Sequence, residues 1–490
     1  MRIVRNVVAL LVAVVCLALP ALKSGTAQAA TTRTDGVVAD LTWYISHADM
    51  DRSVAMMATA GVKTVRANIN WSSLEPTTKG QIDAWWLGEI DYAVAKLNSA
   101  GIQVLMPIAD GVPYWASADP ARYQDGSGNH WNNLWKPRLM QDYADFAQTI
   151  VRRYSAQGVH AYEVWNEPNY SHFWPSGPSA ADYTTMLRAA YPAIKSADPS
   201  ATVLMGGLSR NDYTFLQAMY AAGARPYFDA AAVHPYTGAI DPTVCWNASG
   251  STMRAIDAFC AIESVRTVMV NNGDSAKNLW LTEFGWSTAT ATSNGVTEAV
   301  QADYLTKAFK WLDQYPYVTH AYWYAGRNLY WGNNNQSDIE SNYGLVRVDF
   351  STKPSYDSFK SLHGATAPTT TTTAPPVTTT TPTTAPPVTT PTTVAGGDVT
   401  APVLSGIRVA NLTQTSGRVY WTTNESSDSY VEYWVTGGAV KSTSSATRVL
   451  NHSLSLSFLT RITTYNYRVK SKDAAGNLVT SAVYTFTTKA

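Results

Sequence analysis

Tyr162-Glu163-Val164-Trp165-Asn166-Glu167-Pro168-Asn169 is a short apolar and aromatic run that ends in an acid followed by a proline. β-branched and aromatic residues favour a strand, and the proline stops it, leaving Glu167 at its end. Leu279-Trp280-Leu281-Thr282-Glu283-Phe284-Gly285-Trp286 repeats the plan, with Gly285 as the breaker and Glu283 near the end. Working outward, six more β-like runs fall at 36–43, 62–71, 102–110, 202–208, 228–236 and 318–324, beside 160–167 and 279–286. Between them lie segments with helical periodicity, such as 91–100, 138–154, 180–196 and 297–315. Alternating β and α units of this number predict an α/β fold, a closed parallel (β/α)8 TIM barrel over residues 30–364. An open doubly wound sheet would need fewer strands and usually a Gly-rich nucleotide loop, which this stretch lacks.

In such a barrel the chemistry sits at the C-terminal ends of the strands. Glu167 ends the fourth strand and Glu283 the seventh, so the two carboxylates are expected to face each other across the barrel mouth. Cleavage of a glycosidic bond needs this pairing, one carboxyl to protonate the leaving oxygen and one carboxylate to attack or to activate water. A separation of about 5–5.5 Å implies a covalent intermediate and retention, and about 6.5–9.5 Å implies inversion. Two close carboxylates also push their pKa values apart, which suits the division of labour. Duller readings stand beside these. Glu167 before Pro168 would also open a helix. Glu163, deeper on the same strand, reads as a buried structural partner, and Arg66 would pair with either Glu163 or Glu283. Trp286 and Trp115 are sugar platforms or packing residues, His234 before a proline is a core residue or a sugar contact, and Asp110 receives no role.

Trp165-Asn166-Glu167-Pro168 and Thr282-Glu283-Phe284-Gly285 resemble the acid/base and nucleophile signatures of glycoside hydrolase clan A. The similarity extends along the barrel through Val65-Arg66, Trp71-Ser72-Ser73-Leu74-Glu75-Pro76, Gly101-Ile102-Gln103-Val104-Leu105, Pro113-Tyr114-Trp115-Ala116 and His234-Pro235-Tyr236. Within the clan the chain is most similar to the family thirty-nine and bacterial endoglycosidase branches. The resemblance implies a retaining glycosidase with Glu167 as acid/base and Glu283 as nucleophile. It also implies that Asn166 contacts the sugar 2-hydroxyl, that Arg66 and Tyr236 hydrogen-bond Glu283, that His234 shapes the site, and that Trp323 floors the central subsite. Acid, base and nucleophile would all be side chains, so no cofactor and no metal are expected. The long loop after strand six and the Trp-, Tyr- and Asn-rich stretch 327–342 after strand eight depart from the pattern and would set substrate choice.

The rest of the 490 residues organise around this barrel. Basic Arg2 and Arg5, an apolar run over 7–20 and Ala27-Gln28-Ala29 read as a signal peptide over 1–29, so export is expected. That run is too short to span a bilayer. Cys16 leaves with it, and Cys245 and Cys260 remain as a pair expected to form a disulfide, closing a loop that contributes about 3 kcal/mol. Residues 365–397 are a Thr/Pro linker, as in Pro368-Thr369-Thr370-Thr371-Thr372-Thr373-Ala374-Pro375-Pro376. Residues 398–490 alternate with period two over 417–423, 429–434, 465–470 and 482–487, which predicts a small β-sandwich. Trp421, the stretch 459–467 and Asp473-Ala474-Ala475-Gly476-Asn477 make it resemble a fibronectin type III module, read as a spacer ahead of a weak surface-binder. Lys plus Arg and Asp plus Glu are equal at 36 each, which removes the electrostatic case for nucleic acid or an anionic membrane. The 17 Trp and 28 Tyr suit a carbohydrate partner, with the protein itself monomeric. Endo action on a polysaccharide or glycoconjugate leads; an exo-acting glycosidase, an α-L-arabinofuranosidase or a non-catalytic glycan-binding protein are the alternatives.

Overall fold

The computed structural model describes residues 33–41, 45–109, 111–120, 135–329, 335–364, 398, 400–410, 412–456 and 459–489. The expected signal peptide, the linker and Asp110 lie outside them. Two compact units divide the chain, one chiefly of residues up to Ala365 and one chiefly of Thr366–Ala490.

In the first unit eight strands form a closed parallel ring. They are β1 (Thr34–Val38), β2 (Thr64–Arg66), β3 (Gln103–Ala109), β4 (Ala161–Val164), β5 (Thr202–Met205), β6 (Ala230–His234), β7 (Asn278–Phe284) and β8 (Val318–Tyr324). β1 pairs with β8 and β2, and β2 pairs on its other edge with β3, which closes the barrel. Each strand is followed by a helix: α1 (His47–Thr59), α2 (Ala84–Ser99), α3 (Met140–Ser155), α4 (Ala180–Ala197), α5 (Tyr213–Ala221), α6 (Ile262–Asn271), α7 (Glu298–Leu312) and α8 (Pro354–His363). Local chemistry sets several starts. Ser179, Asp212 and Thr297 accept backbone N–H groups of the first turns of α4, α5 and α7. Asp83 does the same for α2, which therefore begins at Ala84, earlier than its hydrophobic periodicity predicts. Among the described residues no helix is long and apolar enough to cross a membrane.

Alternation along the strands sorts side chains between the barrel interior and the layer beneath the helices. Val38, Leu105, Leu204, Ala230, Ala232, Trp280 and Tyr322 pack together inside the ring. On the outer side Phe284 meets Phe309 of α7 at 5.3 Å, and Phe309 meets Phe359 of α8 at 5.6 Å. The interior is tight at β1: a Cβ on Gly36 would lie 2.2 Å from the Thr64 carbonyl oxygen. Gly36→Ala is therefore expected to push β1 off β2 and to lower stability by about 1–3 kcal/mol, the usual range for overpacking. Thermal unfolding measures it, and an unchanged Tm would mean that the two strands yield freely.

The second unit is antiparallel: β9 (Leu404–Ala410), β10 (Gly417–Trp434), β11 (Lys441–Leu456), β12 (Thr464–Lys472), β13 (Leu478–Thr480) and β14 (Tyr484–Thr487). The first half of β10 pairs with β9 and the end of β11; its second half pairs with β12 and the start of β11, after register breaks between Thr422 and Ser429. Alternate residues of both halves, including Val419, Trp421, Val431 and Tyr433, enter one core with Tyr467 and Val469. This is consistent with an all-β sandwich. Trp421 donates from its indole to Ser471 Oγ at 2.9 Å and stacks on His452.

Candidate active site

A polar layer sits above the apolar interior, at the C-terminal ends of the barrel strands. Its centre is Arg66, the last residue of β2, whose side chain has no exposure. Its planar fork sends Nε to Glu163 Oε2 at 2.7 Å, Nη1 to Glu283 Oε1 at 2.5 Å and Nη2 to Asn166 Oδ1 at 2.9 Å. Both partners that the sequence offers for Arg66 are thus held at once, each on its own nitrogen of one planar fork. Glu163 is fully buried; its other oxygen accepts from the Gly207 amide at 2.7 Å and from Thr282 Oγ1 at 3.2 Å. It is the structural partner expected from its depth on the strand.

Thr282 and Glu283 are neighbours in sequence, yet both reach this layer. The β7–β8 register shifts between Leu281 and Phe284, with three residues of β7 spanning two of β8. Such an extra residue re-aims side chains at a strand end. Glu283 Oε2 accepts from Tyr236 OH at 2.8 Å. Burial by itself would raise the Glu283 carboxyl, but the neighbouring charges of His234 and Arg66 and the bond from Tyr236 outweigh it and hold the group below the ordinary glutamate value.

Glu167 arrives by a different backbone route. Trp165 and Glu167 both have positive φ, 71° and 41°, a conformation that side chains other than glycine seldom adopt. Two such residues within one turn mark a place where surrounding contacts hold the chain against its local preference. The Glu167 amide donates to Gly207 O at 3.1 Å. Gly207 cannot be larger, since its Cβ would meet His234 Nε2 at 2.1 Å. Glu167 Oε1 pairs with His234 Nδ1 at 2.8 Å, while His234 Nε2 pairs with Thr282 Oγ1 at 3.0 Å. His234 Nδ1 also lies 3.6 Å from Glu283 Oε2, so one imidazole spans both carboxylates. Burial would lower its pKa, but Glu283 and Glu167 prevail and raise it. His234 is fully buried, so it supports the carboxylates from below rather than touching a sugar. One oxygen each of Glu167 and Glu283 and a ring nitrogen of His234 lie within 4.8 Å of one another. That spacing would suit a metal ion, but Arg66 already occupies Glu283 and Glu167 occupies Nδ1. A second acidic group, Asp398, Glu425 and Asp473, lies in the C-terminal unit.

The aromatic wall differs from the sequence expectation. Trp323, expected as the sugar floor, has no exposure; its ring lies 5.8 Å from Phe284 and 5.9 Å from Trp286, and its indole donates to Tyr343 O at 3.3 Å. Trp286, 1% exposed, donates to Ile240 O and Thr237 Oγ1. Both are packing residues under the helices, not platforms. The reason is parity: with Tyr322 inside the barrel, Trp323 points out and Tyr324 points in again. Tyr324, partly exposed at the end of β8, forms a ring cluster with Tyr343 and Tyr236, at 5.3 Å and 6.1 Å. Counting alternate residues back from Tyr324 would have found it. Tyr343 and the acid Glu340 were not singled out within or beside the 327–342 stretch, because a loop carries no period to read. Trp115 is partly exposed and donates to Glu75 O at 2.8 Å. Cys245 and Cys260 are joined, with Cα atoms 6.0 Å apart, and Phe259 of this loop packs on Trp286.

Comparison with known proteins gives the family. The family model for Cellulase (glycosyl hydrolase family 5) matches residues 25–329. The chain belongs to glycosyl hydrolase family 5. It is a glycosidase, and carbohydrate is its substrate. Family membership shifts the softer part of the sequence reading, which leaned to family thirty-nine: the two glutamate motifs specify the clan more firmly than the family. The family 5 barrel is also similar in fold to a family 39 glycoside hydrolase from the gut symbiont Bacteroides cellulosilyticus WH2, at TM-score 0.55 and 19% identity over 89% of this chain and 80% of that one. It is similar to GH5_18 from Streptomyces cattleya in complex with GlcNAc, at TM-score 0.52 and 16% identity over 68% and 80%. A monomeric beta-xylosidase from Caulobacter crescentus CB15 gives TM-score 0.51 and 14% identity over 88% and 92%. No curated protein matches the sequence.

Proposed function

We propose that this family 5 enzyme hydrolyses glycosidic bonds with retention, by double displacement. The observation that carries the reading is the approach of a Glu167 oxygen to within 4.8 Å of a Glu283 oxygen, too close for the water that inversion places between two carboxylates. Glu283, held ionised by Arg66 and Tyr236, is the nucleophile. Glu167 uses Oε1 to hold His234 and keeps Oε2 for the proton that the leaving oxygen needs. In the first step Glu283 forms a bond to the anomeric carbon as the bond to the leaving oxygen breaks and Oε2 protonates it. In the second, water loses its proton to Glu167 and attacks that carbon, releasing Glu283. Asn166, with its oxygen committed to Arg66, has its amide N–H groups to donate to the sugar 2-hydroxyl. Tyr324, not Trp323, is the floor. The signal-like start supports a secreted enzyme, and the balanced charge supports a monomer that meets glycans rather than nucleic acid. The C-terminal unit acts as a fibronectin-like spacer, which suits endo action on an extracellular polysaccharide. The test is the anomer released first from an aryl β-glycoside, followed by proton NMR before mutarotation. The β anomer is expected; an initial α anomer would exclude the covalent intermediate.

A further inference from the structure

The residues on either side of Tyr343 hang on one buried ammonium. Lys353, the residue before α8, is 1% exposed. Its Nζ donates to Asn342 O at 2.9 Å, Asn328 Oδ1 at 2.9 Å and Thr288 Oγ1 at 3.0 Å. Asn342 precedes Tyr343. Asn328 Oδ1 also accepts, at 2.9 Å, from the amide of Gly344, the residue that follows. Thr288 lies in the loop that leaves β7 beyond Glu283, and its own amide donates to Asn342 O at 3.0 Å. Lys353 thus joins the loops after β7 and β8 at the point where Tyr343 enters the ring cluster. The Tyr343 ring lies 5.6 Å from Tyr236, whose hydroxyl donates to Glu283, and 5.3 Å from Tyr324. Helix α7 secures the same stretch, since the buried Gln301 donates to Tyr343 O at 3.2 Å.

All three acceptors are neutral oxygens, so the cation is buried without a countercharge among them. Glu298 at the start of α7 and Arg347 in the loop after β8 act on it, but they are paired with each other. Burial dominates and lowers the Lys353 pKa to about 7. Each acceptor has a second partner as well: the Thr288 amide for Asn342 O, the Gly344 amide for Asn328 Oδ1, and Asn342 O for the Thr288 hydroxyl. Packing alone would therefore be served by methionine, because a buried charge seldom improves on an apolar side chain of similar volume. What the ammonium adds is direction, with its three hydrogens aimed at oxygens of two loops.

We propose that Lys353 is a positioning residue of the glycosidase reaction, setting Tyr343 against Tyr236 and so aligning the donor to Glu283. This rests on the hydrolysis reading above and adds to it a residue outside the cleft.

The full chain is compared as parent, Lys353→Met, Tyr343→Leu and the double variant, on an aryl β-glycoside that the parent turns over. Lys353→Met should lower kcat by about 10- to 100-fold, the scale of a small misplacement remote from the chemistry. KM should stay within about 3-fold and Tm within about 3 °C of the parent. In the Tyr343→Leu background the same change should lower kcat by less than about 2-fold, because the group it acts through is gone. Thr288→Val keeps the side-chain shape and removes one acceptor, so it serves even where Lys353→Met does not fold. It should lower kcat by about 3-fold, with the same dependence on Tyr343. Parent kcat in both Lys353→Met and Thr288→Val, a raised KM at constant kcat, or a loss as large without Tyr343 as with it overturns the proposal. An initial α anomer from the parent would sink the double displacement alone, because the coupling is read from kcat whichever way the bond breaks.

Discussion

Glu283→Gln should lose turnover by about 10⁴-fold or more while the protein stays folded, because it removes the carboxylate that Arg66 and Tyr236 hold ready to bond the anomeric carbon. Glutamine is isosteric and still offers an oxygen to Arg66, which keeps Glu163 and Asn166 as well, so the buried network survives. Glu167→Gln should behave differently. Loss of the proton donor costs about 10²–10⁴-fold on substrates with poor leaving groups. Aryl glycosides with acidic phenols need little protonation, so their first step should persist, and a burst of phenol before slow deglycosylation should appear. Stopped-flow release of a nitrophenol separates the two variants. A Glu283→Gln enzyme with parent turnover, or identical kinetics for both variants, would remove the assigned roles.

Arg66→Met should be the most destabilising change in the site, by about 3–5 kcal/mol, since it strips the cation from a fully buried carboxylate. Chemical denaturation at neutral pH measures this; a loss under about 1 kcal/mol would show that the buried network tolerates the missing cation. The same variant should move the pH–rate profile. In the parent, Glu283 is held below the ordinary glutamate value, so the acid limb of kcat/KM should fall below about pH 4.3. Without Arg66 one of the groups lowering that pKa is gone and the limb should move up. The linkage to stability has two parts of opposite sign. Glu283, depressed in the folded state, contributes stability that is present above its unfolded value and lost as pH falls through its folded one. His234, raised in the folded state, contributes stability that is present below about pH 6.5 and lost as pH rises through its folded value. Arg66→Lys should rescue poorly, because a point-like ammonium lacks the planar fork whose three separate nitrogens meet Glu163, Glu283 and Asn166.

Much of this site was readable because punctuation and period carry it. Pro168 and Gly285 close their strands one or two residues after Glu167 and Glu283, and a parallel barrel places every strand end on one rim. Glu163 was legible as structural from its depth on the same strand. Trp323 was misplaced by one residue, and a shift of one reverses the face of a strand. Trp286 failed for a related reason, since past the bulge in β7 the count of alternate residues no longer applies. Glu340 and Tyr343 lie in or beside a loop whose path depends on Lys353 and Asn342, far from any repeating pattern.

By itself, then, the amino-acid order determined which elements form, their parallel arrangement, and the presence of two acids at one rim, because local propensity and hydrophobic period act over a few residues. Only the tertiary structure decided that Arg66 serves Glu163 and Glu283 together, that His234 spans both acids from beneath, and that Tyr324 rather than Trp323 joins the ring cluster with Tyr236 and Tyr343. Those outcomes depend on distances between strands remote in sequence, on a bulge, and on charges that alter one another only once burial has brought them close.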